Sequence, residues 1–292
     1  MGAAAPADAQ SSLFPGKFFI STALEALETK TAMVGTLARR YLQRAAMAGI
    51  IVGVLYAAYF TVVAAFGQVA VGEQSLRGIG KLVGASLFGW ALVFIYYSKS
   101  ELLTSNMMIV SIGGYHKKVG PARALRLLTL CYVGNALGGL LMAVLYKFST
   151  LISGSVLVEM QHSVDAKLAY VTSGPAGWSD LFVRAVLCNL MINLAMLLVY
   201  NGIIKDDLTR SLVMVVSVLI FAFLGLEHSV ANTVLFTIVG LVSGINVVAA
   251  AGNIAIALLG NFVGGGLLIG LYYAYVNDDR AYLKGRGTSV GS

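Results

Sequence analysis

The chain alternates between long apolar runs and short polar segments. A straight helix needs roughly 20 apolar residues to cross a bilayer, and six runs reach that length. They cover approximately residues 43–67, 80–113, 124–148, 179–202, 208–243 and 249–276. The pattern predicts an all-α membrane protein with six transmembrane helices. The second and fifth runs are longer than one straight helix requires.

Polar residues interrupt the two longest runs, at Ser98–Asn106 and at Gly225–Asn232. Ionisable side chains at membrane depth are costly and normally face a cavity or a pathway. Irregular backbone is tolerated there only where it lines space enclosed by protein, and Gly225 lets the chain leave helical geometry. We therefore expect broken helices 2 and 5. The alternative is a hydrogen-bonded patch between helices that has no transport role.

An internal repeat relates the two halves of the chain at an offset of 126 residues. The offset superimposes Glu101 on Glu227, Asn106 on Asn232, Gly134-Asn135 on Gly260-Asn261, Gly138-Gly139 on Gly264-Gly265, and Tyr146 on Tyr272. Each half holds three spans, an odd number, which predicts an inverted 3+3 repeat. Such repeats place the substrate path near the midplane between the halves. The repeated glycines are interpreted as positions where helix backbones pack closely.

Composition excludes an ordinary soluble protein. The chain is 58% hydrophobic and 11% charged, whereas soluble domains carry about 25% charged residues. The net charge of +7 does not indicate a nucleic-acid partner, because the basic residues lie in loops and are better explained by orientation in the bilayer. Cys131 and Cys188 fall within apolar runs and are interpreted as small core residues.

Loop charges predict the topology. Fourteen of the 20 lysines and arginines lie near the start of span one or after spans two, four and six, and the positive-inside rule makes that side cytoplasmic. We expect residues 1–42 to form a cytoplasmic region with an amphipathic helix at Pro15–Leu37. Residues 43–276 would form the channel domain, and 277–292 a cytoplasmic tail. Residues 1–12 are expected to be disordered.

The motifs in the two breaks resemble those of the formate/nitrite transporter family. They are Glu101-Leu102-Leu103-Thr104-Ser105-Asn106, Glu227-His228-Ser229, Gly-Asn-x-x-Gly-Gly in spans three and six, and Cys188-Asn189 in span four. The resemblance covers about Phe14 to Tyr282. It implies a homopentamer of aquaporin-like protomers, each with its own pore. The pore would pass formate, nitrite, hydrosulfide, acetate or lactate, or the conjugate acids, across the cytoplasmic membrane.

The resemblance also assigns roles to individual residues. His228 is similar to the family's central pore histidine, Thr104 to the threonine facing it, and Glu227 and Asn189 to residues of the pore centre. The other implied site residues are Phe88 and Phe221 at an outer constriction, Leu92, Leu102 and Leu103 at an inner one, Lys81 for anion attraction, and Glu101, Ser105, Asn106 and Asn232 supporting the breaks.

Two positions depart from the family pattern. Leu103 stands where phenylalanine is common, and Ser173 stands where the family tends to have a lysine before span four, the nearest lysine being Lys167. Lys99 is an additional charge near the first break, which we interpret as a partner of Glu101.

Physical chemistry favours proton exchange at the pore centre. An anion entering an apolar constriction loses much of its hydration energy, and protonating a weak acid removes most of that cost. Imidazole, with an ordinary pKa of about 6.5, is suited to the exchange, so the proton is an expected partner of His228. His116 and His162 are expected to be solvated in loops. Formate is the leading expected substrate, with nitrite close behind.

Two other classes of function remain as alternatives. An aquaporin-like channel for neutral solutes would be expected to carry paired Asn-Pro-Ala motifs, which the sequence lacks. A membrane enzyme would require metal ligands or a nucleophile and base converging on His228. The spans contain no His-x-x-x-His spacing and no Cys–His cluster. We therefore expect no enzymatic activity, no cofactor and no metal.

Overall fold

The computed structural model describes residues 13–288, so the segment 1–12, expected to be disordered, lies outside the described residues. The described chain is mostly helical. The helices are α1 Lys17–Thr36, α2 Ala38–Gly67, α3 Arg77–Tyr97, α4 Leu103–Tyr115, α5 Pro121–Lys147, α6 Gly154–Thr172, α7 Pro175–Tyr200, α8 Asp207–Phe223, α9 Ser229–Ser243, α10 Val247–Asn261, the π-helical segment Phe262–Leu271, α11 Tyr272–Val276 and α12 Arg280–Thr288.

Five helical segments of the described chain are long and apolar enough to cross a membrane. They are α2, α3, α5, α7 and the continuous stretch Val247–Lys284, while α9 is a shorter apolar helix. Helix α8, with 17 residues, and α9 together cover the predicted fifth run. The chain is an integral membrane protein by the length and apolarity of these helices.

Two short non-helical segments separate helices within the second and fifth apolar runs. The first break, residues 98–102, lies between α3 and α4, and the second break, residues 224–228, lies between α8 and α9. Both are shorter than the polar interruptions predicted from sequence. The reason is that the helix resumes at Leu103 and Ser229, before the polar residues end.

The loop between α5 and α7 contains a helix that the hydropathy pattern did not predict. In α6, Met160, Val164 and Leu168 are buried at four-residue spacing, so one face packs inward although mean hydropathy is low. His162 belongs to this helix. Its placement in a loop was therefore wrong, although its side chain is exposed as expected. A two-stranded hairpin, β1 Ala70–Val71 and β2 Gln74–Ser75, joins α2 to α3.

The repeated glycines allow close backbone packing, as interpreted from the sequence. A Cβ at Gly138 in α5 would lie 1.9 Å from the carbonyl oxygen of Ala46 in α2. A Cβ at Gly264 would lie 2.1 Å from the carbonyl oxygen of Val186 in α7. Real carbon and oxygen atoms do not approach so closely, so these contacts require glycine.

Helix α1 packs against the end of the bundle that carries the first break. Phe19, Ala23 and Leu27 form its buried face, and the Phe19 ring contacts Tyr273 with centroids 6.0 Å apart. The Lys17 ammonium pairs with Asp279. This packing brings the C-terminal half of α1 to the first break, where Lys30 contacts Glu101.

Candidate functional site

The two breaks begin with the same turn. At the end of α3, Ser100 N–H donates to the Ile95 carbonyl at 3.0 Å, and at the end of α8, Leu226 N–H donates to the Phe221 carbonyl at 2.9 Å. The residue in the left-handed conformation is Lys99 (φ 56°) in the first turn and Gly225 (φ 65°) in the second. Glycine adopts this conformation freely, whereas a residue with a Cβ loses about 1 kcal/mol or more.

A buried asparagine of α5 holds the first break. Asn135 Nδ2 donates to the carbonyls of Ala45 and Glu101, both at 2.8 Å. Its Oδ1 accepts the N–H of Leu103, the first residue of α4, at 3.1 Å. The amide therefore pairs two backbone groups that the broken helix leaves without intrahelical partners, those of Glu101 and Leu103, and ties them to the Ala45 carbonyl in α2.

Asn261 at the end of α10 holds the second break in the same way. Its Nδ2 donates to the carbonyls of Ala185 at 2.8 Å and Glu227 at 3.0 Å. Its Oδ1 accepts the N–H of Ser229, the first residue of α9, at 2.8 Å. The equivalence of Asn261 and Asn135 extends the 126-residue offset from sequence to hydrogen bonding.

Each break also carries one buried carboxylate that is paired with a lysine. In the first break, Glu101 accepts from the Lys30 ammonium of α1, and from Asn106 Nδ2 at 3.1 Å. Asn106 Nδ2 also lies 2.9 Å from Tyr41 Oη. A buried charge is stable only when it is paired and hydrogen-bonded, and Glu101 meets both conditions.

In the second break, Glu227 Oε1 accepts from Lys167 Nζ at 2.9 Å and its Oε2 from Asn232 Nδ2 at 2.5 Å. Lys167 comes from α6. The family pattern places a lysine at the position of Ser173, counted back from Asn189. In this chain α6 folds over the second break and brings Lys167 to Glu227. Lys167 therefore reaches the second break although it does not stand at the expected position in the sequence.

The interpretation of Lys99 as the partner of Glu101 was wrong. The ion pair of Glu101 is with Lys30, and Lys99 Nζ lies 5.0 Å from the ring centroid of Tyr96. No sequence pattern indicates that α1 folds back to the first break, so Lys30 was missed as a site residue.

His228 and Thr104 meet at the centre, where the two breaks approach each other. His228 Nε2 lies 3.1 Å from Thr104 Oγ1, and both side chains are buried. His228 is also the N-cap of α9, since its Nδ1 accepts the N–H of Ala231 at 3.1 Å. Because Nδ1 is an acceptor, the neutral imidazole carries its proton on Nε2 and directs it at Thr104.

Two asparagines of α7 fix the backbone beneath Thr104. Asn189 Nδ2 and Asn193 Nδ2 each donate to the Thr104 carbonyl at 3.2 Å. Asn189 Nδ2 also donates to the Asn261 carbonyl at 2.6 Å, which joins the first break to the helix that supports the second. Asn193 was not singled out from the sequence, although it follows Asn189 by one helical turn.

Apolar side chains surround a central cavity of about 20 Å³ beside His228. That volume is close to what one water molecule needs. The Phe88 and Phe221 rings meet edge to face with centroids 6.2 Å apart, and Phe221 stacks on His228 at 5.9 Å. The lining also includes Leu92, Leu102, Ile95, Val52, Ala91, Ile192, Val218 and Ala231.

The lining includes some of the expected constriction residues and not others. Leu103 is buried, but it is not among the residues that line the central cavity. Ile95 lines the cavity, although it was not among the expected constriction residues. The repeat could have identified Ile95, because the offset of 126 places it on Phe221.

A larger cavity opens at each break. The first-break cavity has a volume of about 360 Å³ and includes Lys30, Arg44, Lys99, Glu101 and Ser105 in its lining. Ser105 lies next to Thr104 in the first turn of α4.

The second-break cavity has a volume of about 280 Å³, and Lys81, Arg77, Glu159, Lys167 and Arg184 are among its lining residues. Arg77 binds Glu159 through Nε and Nη2, the latter at 2.6 Å, and this contact lowers the pKa of Glu159. Both cavities carry more basic than acidic side chains, which favours anions.

Comparison with known proteins identifies the family. Residues 19–275 match the sequence profile described as formate/nitrite transporter. The chain belongs to the formate/nitrite transporter family. It is 30% identical to an uncharacterized transporter, YwcJ, of Bacillus subtilis over 67% of this chain and 75% of that protein.

Family members with named substrates are also similar to the chain. It is 29% identical to the nitrite transporter NirC of Salmonella typhimurium over 79% of this chain and 80% of that protein. It is 25% identical to the formate channel FocA of Haemophilus influenzae over 68% of this chain and 75% of that protein.

Solved structures share the fold. A structure described as an FNT family ion channel superimposes with a TM-score of 0.75 at 23% identity, over 89% of this chain and 99% of that one. A pentameric formate channel with formate bound superimposes with a TM-score of 0.64 at 20% identity, over 82% of this chain and 97% of that one. The mostly helical fold is therefore shared with these two proteins, which are 23% and 20% identical to the chain.

Proposed function

We propose that the chain forms a pore for small monovalent anions, or for their conjugate weak acids, across the cytoplasmic membrane. Formate is the leading substrate and nitrite is close behind. Hydrosulfide, acetate and lactate are the other candidates. The observation that carries the proposal is the hydrogen bond of 3.1 Å between His228 and Thr104. It lies beside an apolar cavity of about 20 Å³, which is flanked by two basic cavities.

The size and polarity of the central cavity support a neutral transported species. A hydrated anion cannot fit in a space for one water molecule, and its charge finds only apolar side chains besides His228 there. Stripping its hydration costs several kcal/mol or more. A protonated weak acid avoids most of that cost, so transport is easiest if the anion gains a proton where the basic cavity narrows.

His228 and Thr104 supply the proton route in this proposal. The Nε2–H of the neutral imidazole donates to Thr104 Oγ1, which leaves the threonine O–H free to donate to an arriving anion. Proton transfer along this chain begins once His228 has taken up a second proton, at Nδ1. The imidazolium then gives up its Nε2 proton through Thr104, which neutralises the anion as it enters the constriction and leaves a neutral imidazole. The imidazole recovers a proton when the acid dissociates on the far side.

The proposed architecture counts α3 with α4, and α8 with α9, as single broken spans, which gives six spans in an inverted 3+3 arrangement. The equivalent roles of Asn135 and Asn261 support it. By the distribution of loop charges, both termini and the first-break cavity are cytoplasmic. The pentameric state of the formate channel with a similar fold supports a homopentamer.

The test is purified protein in liposomes, with initial uptake of formate, nitrite, hydrosulfide, acetate and lactate measured across a pH series. Urea and glycerol serve as neutral solutes for the aquaporin-like alternative. We expect anion-dependent flux that increases as the pH on the entry side falls, and much slower neutral-solute flux. Fast neutral-solute flux without anion transport would exclude the proposal.

A further inference from the structure

Lys99 occupies a position that favours glycine. Its counterpart in the second break is Gly225, and both residues have the left-handed backbone conformation, with φ 56° and 65°. The chain thus uses glycine in one turn and accepts the strain of a lysine in the other. Lys117 also has this conformation, with φ 57°, so the strain itself carries no function. The surroundings of Lys99 distinguish it.

Lys99 and Arg44 line the first-break cavity without a carboxylate partner among residues 13–288. The carboxylate of the cavity, Glu101, is paired with Lys30. Lys99 has instead a cation–π contact with Tyr96 at 5.0 Å, and Arg44 Nη1 contacts the sulfur of Met33 at 3.3 Å. Both contacts leave most N–H donors unused.

One hydroxyl group completes the lining. Ser105 lines the same cavity of about 360 Å³, whereas the hydroxyls of Thr29 and Ser100 already donate to Glu25 and Ser98. Two cations with spare donors, beside the Ser105 hydroxyl and in a space large enough for a hydrated small ion, match a carboxylate in charge and in hydrogen bonding.

We propose that Lys99 and Arg44 form a binding site for a small monocarboxylate in the first-break cavity, where the anion is held before it enters the central constriction. The inference rests on the proposed function, because it identifies where the transported anion binds first. Charge and hydrogen bonding select the ligand at this site, and the central cavity selects by size. The placement of Lys99 in a strained turn therefore serves anion affinity.

Chemical labelling tests the site without measuring transport. Purified protein is acylated with an amine-reactive reagent at increasing formate concentrations, and modification of each lysine is quantified by mass spectrometry. We expect formate to protect Lys99 but not Lys117, which is exposed and has the same backbone conformation. Sodium chloride at equal ionic strength controls for screening. Equal protection of both lysines by formate, or protection of neither, would overturn the inference.

Lys99→Gly provides the transport test, with Lys117→Gly as the matched control. Both variants remove one charge and relieve the same strain, so neither should impair folding. In oriented proteoliposomes at equal pH on both sides, Lys99→Gly should raise the half-saturating formate concentration at the first-break face roughly fivefold. Lys117→Gly should leave it unchanged. Identical saturation curves for the two variants would contradict the site.

The two tests also separate this inference from the proposed function. Wild-type protein that moves none of the five candidate anions refutes the proposed function, and the labelling experiment still decides whether Lys99 binds formate. Wild-type protein that moves formate while Lys99 is unprotected refutes the binding site alone.

Discussion

Asn135 and Asn261 make equivalent sets of three hydrogen bonds. Each amide donates to one carbonyl of its break and to one carbonyl of a neighbouring helix, and it accepts from the first residue of the helix that follows the break. Each amide thus replaces the pairing that a continuous helix would have supplied. Irregular backbone at membrane depth is stable only when such partners exist. The breaks that place Thr104 and His228 at the centre depend on these two side chains.

Asn135→Ala and Asn261→Ala should each destabilise the protein strongly. Loss of the amide leaves buried backbone groups unpaired, at about 1–3 kcal/mol for each group. Thermal unfolding in detergent measures the effect. Asn201→Ala is the matched control, because its side chain accepts one exposed hydrogen bond, from Ile203 N–H. Equal melting temperatures for Asn135→Ala and Asn201→Ala would show that the amide does not hold the first break.

The buried ion pair of the second break predicts strong coupling between its partners. Glu227 and Lys167 expose 2% and 12% of their side chains. Lys167→Met leaves an uncompensated buried carboxylate and should cost about 3–5 kcal/mol. The double variant Lys167→Met, Glu227→Gln removes both charges and should recover much of that loss. A double-mutant cycle on unfolding midpoints measures the coupling, and additive effects would show that the pair is not coupled.

The repeat in the sequence made much of the site predictable. Glu101, Asn106 and Asn232 were expected to support the breaks and Glu227 to belong to the pore centre, and each takes part in the buried network at a break. The 126-residue offset carried this information, because matched polar residues in matched apolar runs must satisfy the same constraint.

The lysine partners could not be predicted from the sequence. Lys30 and Lys167 reach the breaks only because α1 and α6 fold over opposite ends of the bundle. Both helices lie outside the apolar runs, and hydropathy gives no indication of where such helices dock.

The ion pair between Arg77 and Glu159 predicts that the stability of the protein depends on pH in the acidic range. Arg77 lowers the pKa of Glu159 from its ordinary value of 4.5. A carboxylate with a lowered pKa contributes stability that is fully present above its ordinary pKa and is lost as pH falls through the lowered one. The melting temperatures of wild type and Glu159→Gln should therefore differ above about pH 5 and approach each other as the pH falls below 4.5. A difference that does not shrink as the pH falls below 4.5 would contradict the assignment.

The final prediction concerns the proton route through His228. His228→Asn keeps some hydrogen bonding and volume but does not titrate between pH 5 and 8. It should lower formate flux at neutral pH roughly a hundredfold, the usual scale for losing a positioned acid or base, and flatten the pH dependence that remains. His228→Phe should block flux more completely, since a larger apolar ring fills a cavity of about 20 Å³.

His116→Asn is the matched control for His228→Asn, because it makes the same substitution outside the proposed pore. His116 follows α4 and does not line any of the three cavities described above. Oligomeric state and unfolding midpoint are measured for every variant, so that loss of flux is separated from loss of fold. A correctly assembled His228→Asn protein that moves formate with the wild-type pH profile would show that His228 relays no proton. In that case the bond to Ala231 N–H, which begins α9, is the role that remains for the imidazole.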